Sequence, residues 1–255
     1  MADRQYMQGT TVAGTRAVEI DEGLRAHMTK IYALMGGAMI ITALVAYIVG
    51  MDFKAASQGE PTTLLSVGVL QAMFTSPIKW IIMFAPLAVV FGMGAMINRM
   101  SAGTAQMVFW GFGALMGLSI SWIFAVFTDI SIAQTFFATA AAFGALSLYG
   151  YTTKKDLYGM GTFLFMGLIG LIIASIINIF VASSALQFAI SLIGVLIFAG
   201  LTAFYTQDIK STYVAHATHG DQEWLDKAAI DGSLSLYIAF LNMFQFLLMF
   251  MGQQE

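Results

Sequence analysis

The chain has 255 residues, 59% hydrophobic and 10% charged, with a formal net charge of −3 and a mean hydropathy of +0.81. Soluble domains carry about 25% charged residues, and so many apolar side chains exceed what a soluble core of this length encloses. A soluble globule is therefore excluded, and so is a β-barrel, because ~10-residue alternating segments are lacking. What remains is an all-α integral membrane protein. The absence of cysteine excludes disulfides and thiolate chemistry, and no basic patch or RNA-binding motif points to nucleic acid.

Residues 1–30 form an N-terminal segment too polar for a signal peptide. Its first 17 residues are expected to be irregular, and 18–30 to form a short interfacial helix on which His27 is solvated. The seven-helix transmembrane domain is predicted over 31–252, since ~20 apolar residues span ~30 Å of hydrocarbon. The first span is Ile31–Gly50. A loop over 51–77 follows, with apolar Leu64–Phe74 on the membrane surface. The second span, Ile78–Ile97, opens after Pro77 and contains Pro86. The third is Gln106–Phe127, and a tight turn leads to the fourth, Ile130–Tyr149, which the Asp129 carboxylate is expected to cap. The fifth is Leu157–Val181 and the sixth Leu186–Tyr205. A polar segment, Thr206–Lys227, precedes the seventh, Asp231–Gly252, and residues 253–255 form a tail.

Lysine and arginine set the orientation. With a cytoplasmic N-terminus, Arg4, Arg16, Arg25, Lys30, Arg99, Lys154, Lys155, Lys210 and Lys227 face the cytoplasm, and only Lys54 and Lys79 face away. Nine against two favours the N-terminus inside. The C-terminal residues carry no positive charge, so the charge rule does not say whether the seventh helix crosses fully.

The seventh span organises the rest. Asp231, Ser235, Asn242 and Gln245 fall within about 80° of one another at ~100° per residue. A polar stripe on a spanning helix avoids lipid, so it is expected to face other helices or water. Asp231 reads first as an acid at a helix N-terminus; an ion-path role is the other reading. Asp208 reads as a water-exposed helix end. Arg99 is either a topology anchor or the cationic partner of an acid on the seventh helix. Asn178 and Asn242 are expected to hydrogen-bond between helices or to line a water path. Tyr205 and Tyr237 suit either interface anchoring or hydrogen bonding within the bundle. His216, His219, Asp221 and Glu223 form a solvated loop in preference to a metal site. No catalytic motif and no cofactor motif is present, which argues against an enzyme.

Several segments together resemble the Bax inhibitor, or transmembrane Bax-inhibitor-motif, family of bacterial membrane proteins. They are Asn98-Arg-Met-Ser101, Ala114-Leu-Met-Gly-Leu-Ser119, Leu148-Tyr-Gly-Tyr-Thr-Thr-Lys-Lys-Asp-Leu157, Asn178-Ile-Phe180, Phe198-Ala-Gly-Leu-Thr-Ala203, Thr206-Gln207 and Gly232-Ser-Leu-Ser-Leu-Tyr237. The resemblance implies two three-helix units around a central seventh helix, in a bacterial inner membrane. It also implies a pH-sensitive calcium leak or the modulation of a membrane-bound AAA protease. The leak is ascribed to an aspartate pair, one in a Tyr-Asp-Thr-Gln motif and one in a Tyr-Leu-Asp-Phe-Ile-Asn motif. This chain has Tyr205 at the first position and Ala239 at the second. Neither ionises near neutral pH, so gating by that pair is expected to be altered or lost. Asp208 and Asp231, both shifted toward the cytoplasmic end, are expected to approach each other, with Arg99 as partner. A passive cation leak and a non-conducting regulator bound to a membrane protease are the leading functions; a small-molecule transporter lacks a recognisable substrate site, Pro86 being one candidate helix break.

Overall fold

The computed structural model describes residues 2–216 and 221–253, the side chains of 2–19 aside. The described residues form nine α-helices and no strand. They are α1 (Ala2–Gln58), α2 (Val67–Phe74), α3 (Ile78–Met96), α4 (Ala102–Ile120), α5 (Ile123–Val126), α6 (Asp129–Thr152), α7 (Tyr158–Val181), α8 (Ser184–His216) and α9 (Gln222–Met251). Seven of them, all but α2 and α5, anchor stretches long and apolar enough to cross a membrane.

The seven spans lie where hydropathy puts them, but their ends differ for tertiary reasons. α1 includes residues 2–17, expected to be irregular, because each residue added to an existing helix gains a hydrogen bond. It also passes Gly50 and continues to Gln58. Asp52 is buried in this extension. Its carboxylate accepts the backbone N–H groups of Thr63, Leu64 and Leu65 at 2.7, 2.9 and 2.7 Å, so the loop supplies the donors a buried acid requires. The apolar stretch after it forms α2, which buries Leu70 and sets Phe74 against Phe53.

The expected third span is two helices, broken at Ser121 and Trp122. The cap of α6 is Thr128, whose hydroxyl accepts from Ser131 N at 3.3 Å; Asp129 stands in the first turn instead. α8 runs eleven residues past Tyr205, through the first half of the expected polar segment. Its polar side chains stay helical because they bridge to the α6–α7 turn. Gln207 accepts from Leu157 N at 2.8 Å and donates to Lys155 O at 2.7 Å, and Lys210 donates to Tyr151 O at 2.9 Å. α9 begins at Gln222, capped by Asp221, whose carboxylate accepts from Trp224 N at 3.1 Å. The helix runs the length of the bundle. Its exit is tied to the start of α6, with Thr128 N donating to Gln253 O at 3.1 Å and Gln253 N donating to Ser131 Oγ at 2.8 Å.

α9 packs against α8, α1, α6 and α4, whereas α3 and α7 lean mainly on α4 and α8. Thirteen α9 residues are buried, among them Tyr237 and Ala239, both with no exposed surface. The Tyr237 ring meets Phe109 and Phe112 edge-on, and its hydroxyl bonds Thr42, which also donates to Gly113 O at 2.8 Å. That node joins α1, α4 and α9. Backbones approach closely where glycines allow: a methyl group at Gly113 falls 2.9 Å from Ala38 O, and one at Gly150 overlaps Ala203 O. Ser147 bonds both Tyr32 and Thr206, linking α6 to α1 and α8. Pro86, inside α3, lacks the N–H that Ile82 O would accept. Ser119 Oγ of α4 donates to that carbonyl at 2.7 Å.

Candidate functional site

Between Asp231 and Gln245, the α9 residues that keep exposed surface are Asp231, Ser235, Ile238, Asn242 and Gln245. They are spaced by four, three, four and three residues, which is one stripe along a helix. The polar row predicted from the sequence is thus the face of α9 left uncovered by its neighbours, and it carries one apolar member, Ile238. The stripe is not turned into the core. It opens into two cavities on the side of α3.

The first cavity, about 330 Å³, lies between α3, α8 and α9 and reaches His27 of α1. Asp208 and Tyr205 line it from α8, and Asp231, Ser235 and Lys227 from α9. Asp208 is not a free helix end. It accepts the Tyr158 hydroxyl at 2.6 Å, and that hydroxyl also bonds Ser211 Oγ at 3.1 Å. Asp231 is not a helix-terminal acid, because Asp221 and Glu223 occupy the N-terminus of α9 and Asp231 stands more than two turns inside it. Its exposure is to the cavity.

The second cavity, about 380 Å³, lies between α3, α4 and α9. Asn242 and Gln245 line it opposite Pro86 and Val90, with Ser119 at its α4 wall. The Asn242 amide donates to Ile238 O at 2.8 Å within its own helix. Along α9 the two cavities are separated by the step from Ser235 to Ile238, three residues or ~4.5 Å. Along α3 they are separated by the step from Val90 to Gly94, with Met93 buried in between. Ile238 itself lines the second cavity, so the wall between the two is about one helical turn long.

Arg99 and His27 depart from expectation, and Asn178 takes the first of its two readings, a hydrogen bond between helices. Arg99 lies in the short 3-10 turn after α3 and does not line the first cavity; among the described residues it forms no ion pair with either acid. Its neighbour Asn98 lines the cavity, and the cation there is Lys227, paired with Glu223 at 3.3 Å. Asn178 lines neither cavity. It closes the α7–α8 turn, donating to Gln187 Oε1 and accepting from Ser183 N, both at 3.0 Å, because Ala182 in the left-handed region turns the chain back there. His27, expected to be solvated, is buried against the Tyr213 ring and lines the first cavity. Of the two family acid positions, Tyr205 lines that cavity and Ala239 does not, being wholly buried. His219 lies outside the described residues, among which no group of three or more metal-ligating side chains occurs; His216 stacks on Trp224.

Seven bilayer-length helices, one of them bearing a polar stripe beside two cavities, define a multi-pass membrane protein. Its sequence places it more narrowly. The chain belongs to the Bax inhibitor family: the family described as Inhibitor of apoptosis-promoting Bax1 matches residues 24–255. It is 43% identical over 237 residues to an uncharacterized protein of Rickettsia prowazekii, covering 92% of each chain. It is 42% identical over 234 residues to the inner membrane protein YbhL of Escherichia coli K12, covering 91% of this chain and 94% of that one. A Caulobacter vibrioides protein is 41% identical over 238 residues, 92% of this chain and 91% of its own.

Proposed function

We propose that the protein is a passive cation leak of a bacterial inner membrane, with calcium the principal ion and the N-terminus in the cytoplasm. The inner-membrane placement draws on the printed description of YbhL, and the orientation on the lysine and arginine bias. The ion path runs along the uncovered stripe of α9. It passes from the cavity of Asp208, Asp231 and Ser235, over Ile238, to the cavity of Asn242 and Gln245. Hard cations favour carboxylate and carbonyl-type oxygens, which this row provides at both ends. With Tyr205 and Ala239 at the positions of the family acid pair, gating by that pair is lost. The acids that remain on the path are Asp208 and Asp231.

The observation that carries this reading is a stripe on α9 that lines two successive cavities and is polar but for Ile238, at the edge of the second. Its test is calcium flux into proteoliposomes from acidic to alkaline pH. Ile238→Ser completes the polar row and is expected to raise flux about tenfold, equivalent to ~1.4 kcal/mol of barrier. Flux of wild type and variant indistinguishable from empty vesicles at every pH would remove the leak. The regulator reading, with a membrane protease as partner, would then stand and be pursued by crosslinking in native membranes.

A further inference from the structure

A second long recess lies away from the α3 side. α1 and α6 barely touch each other, and α9 forms the floor between them. The larger part of this groove, about 420 Å³, is walled by α1 from Met39 to Tyr47 and by α6 from Asp129 to Phe137, over Leu241 and Phe244. A smaller part, about 230 Å³, continues it toward Tyr32 over Phe240; Met39 and Phe136 line both parts. The groove is almost wholly apolar. Of its few polar members, Thr42 is buried and already bonded to Ala38 O and Gly113 O. The one charged lining residue is Asp129, and no lining residue is basic.

Asp129 sits at the end of the groove, in the first turn of α6, with its side chain exposed. Thr128 already caps the helix, so the carboxylate is not used for that purpose. It forms no ion pair among the described residues. From Met39 to Tyr47 the α1 wall rises eight residues, or ~12 Å, close to the ~15 Å depth of one leaflet's hydrocarbon. An apolar slot one leaflet deep, ending at an exposed carboxylate, matches a lipid tail with a cationic headgroup group above it.

We infer that the α1–α6 groove is a binding site for an ammonium-headgroup phospholipid, the tail lying over Phe136 and Leu241 and the headgroup amine against Asp129. A primary ammonium satisfies the carboxylate by charge and by N–H donation. A quaternary ammonium keeps only the charge, and an anionic headgroup is repelled.

The test is native mass spectrometry of the full chain in detergent, titrated with phosphatidylethanolamine, phosphatidylcholine or phosphatidylglycerol of identical acyl composition. Wild type is expected to retain them in that order, with about two- to fivefold between the first and last, as befits one partly exposed charge contact. Asp129→Asn is expected to erase the preference while tail binding persists, and Asp129→Glu to keep it. Ala133→Phe or Ala43→Phe, each adding a ring at an exposed groove position, is expected to weaken retention of all three lipids in protein that still elutes as a single species. Equal retention of the three lipids by wild type, or an unchanged preference in Asp129→Asn, would overturn the headgroup assignment. Retention unaffected by either groove-filling variant would overturn the site. None of these outcomes depends on calcium flux.

Discussion

α3 and α7 are alike in composition and unlike in how they are held. Only 11% of the most apolar window of each is buried, and each leans on one main neighbour, α4 or α8. α7 is fastened at both ends, by Tyr158 to Asp208 at one and by Asn178 to Gln187 at the other. Between them two of its four glycines admit α8 side chains: a methyl at Gly161 falls 2.5 Å from the Phe204 ring, and one at Gly167 falls 3.2 Å from Ile197, while Gly159 and Gly170 are open. On α3 the corresponding small residues admit nothing. Gly92 and Gly94 have no atom within 4 Å of an added methyl, and the side-chain bond from another helix to α3 is the one from Ser119 to Ile82 O. Hydropathy does not distinguish these helices. What distinguishes them is whether a neighbour reaches into the small residues: α7 is entered at Gly161 and Gly167, whereas Gly92 and Gly94 of α3 are both left open, and Gly94 lines the first cavity of the α9 stripe.

The largest expected effect comes from filling the closed side. Gly161→Leu drives a side chain into Phe204, whose ring is held edge-on by Tyr158 and Phe165 and cannot simply rotate away. Overpacking of this kind costs about 1–3 kcal/mol, to be read as a lowered melting temperature in detergent. Gly92→Leu, the matched change on α3, is expected to leave the melting temperature near wild type. Equal losses at the two positions would erase the contrast between the helices.

The next effect concerns the Ser119 bond to α3. Ser119→Ala removes the donor to Ile82 O, which Pro86 already leaves without its helical partner, and the loss of one such hydrogen bond costs about 0.5–1.5 kcal/mol. Hydrogen exchange along α3 reports it directly. Faster exchange is expected for the turn around Pro86, with α7 unchanged.

Much of this was legible in the chain itself. Long apolar runs gave the number of spans, and the spacing of Asp231, Ser235, Asn242 and Gln245 gave the uncovered face of α9, because a helix repeats every 3.6 residues whatever surrounds it. Helix ends were not legible, because the partners that allow polar residues to stay helical come from elsewhere: the 63–65 loop for Asp52, the α6–α7 turn for Gln207 and Lys210. For Arg99 and Asn178 the sequence leaves two readings each, and the structure puts Arg99 in a turn away from the acids and Asn178 in a hydrogen bond between α7 and α8. His27 was missed although a signal existed. It falls in register with Leu24, Ile31 and Leu34, the buried face of α1, which a solvated histidine would not share.

The smallest expected effect on stability, and the sharpest separation of stability from function, lies at Gly94. Alanine there meets nothing within 4 Å and removes a flexible residue from a helix interior, a change worth up to ~1 kcal/mol in favour of the helix. The melting temperature is therefore expected to hold or rise slightly. The same methyl projects from a residue that lines the first cavity beside Asn98 and across from Asp231. If the stripe conducts, calcium flux falls while the fold is unharmed, which is the reverse of the result expected at Gly161, where the fold suffers and no cavity is touched. A Gly94→Ala protein with lowered melting temperature would mean that α3 lies closer to α9 than the open cavity requires.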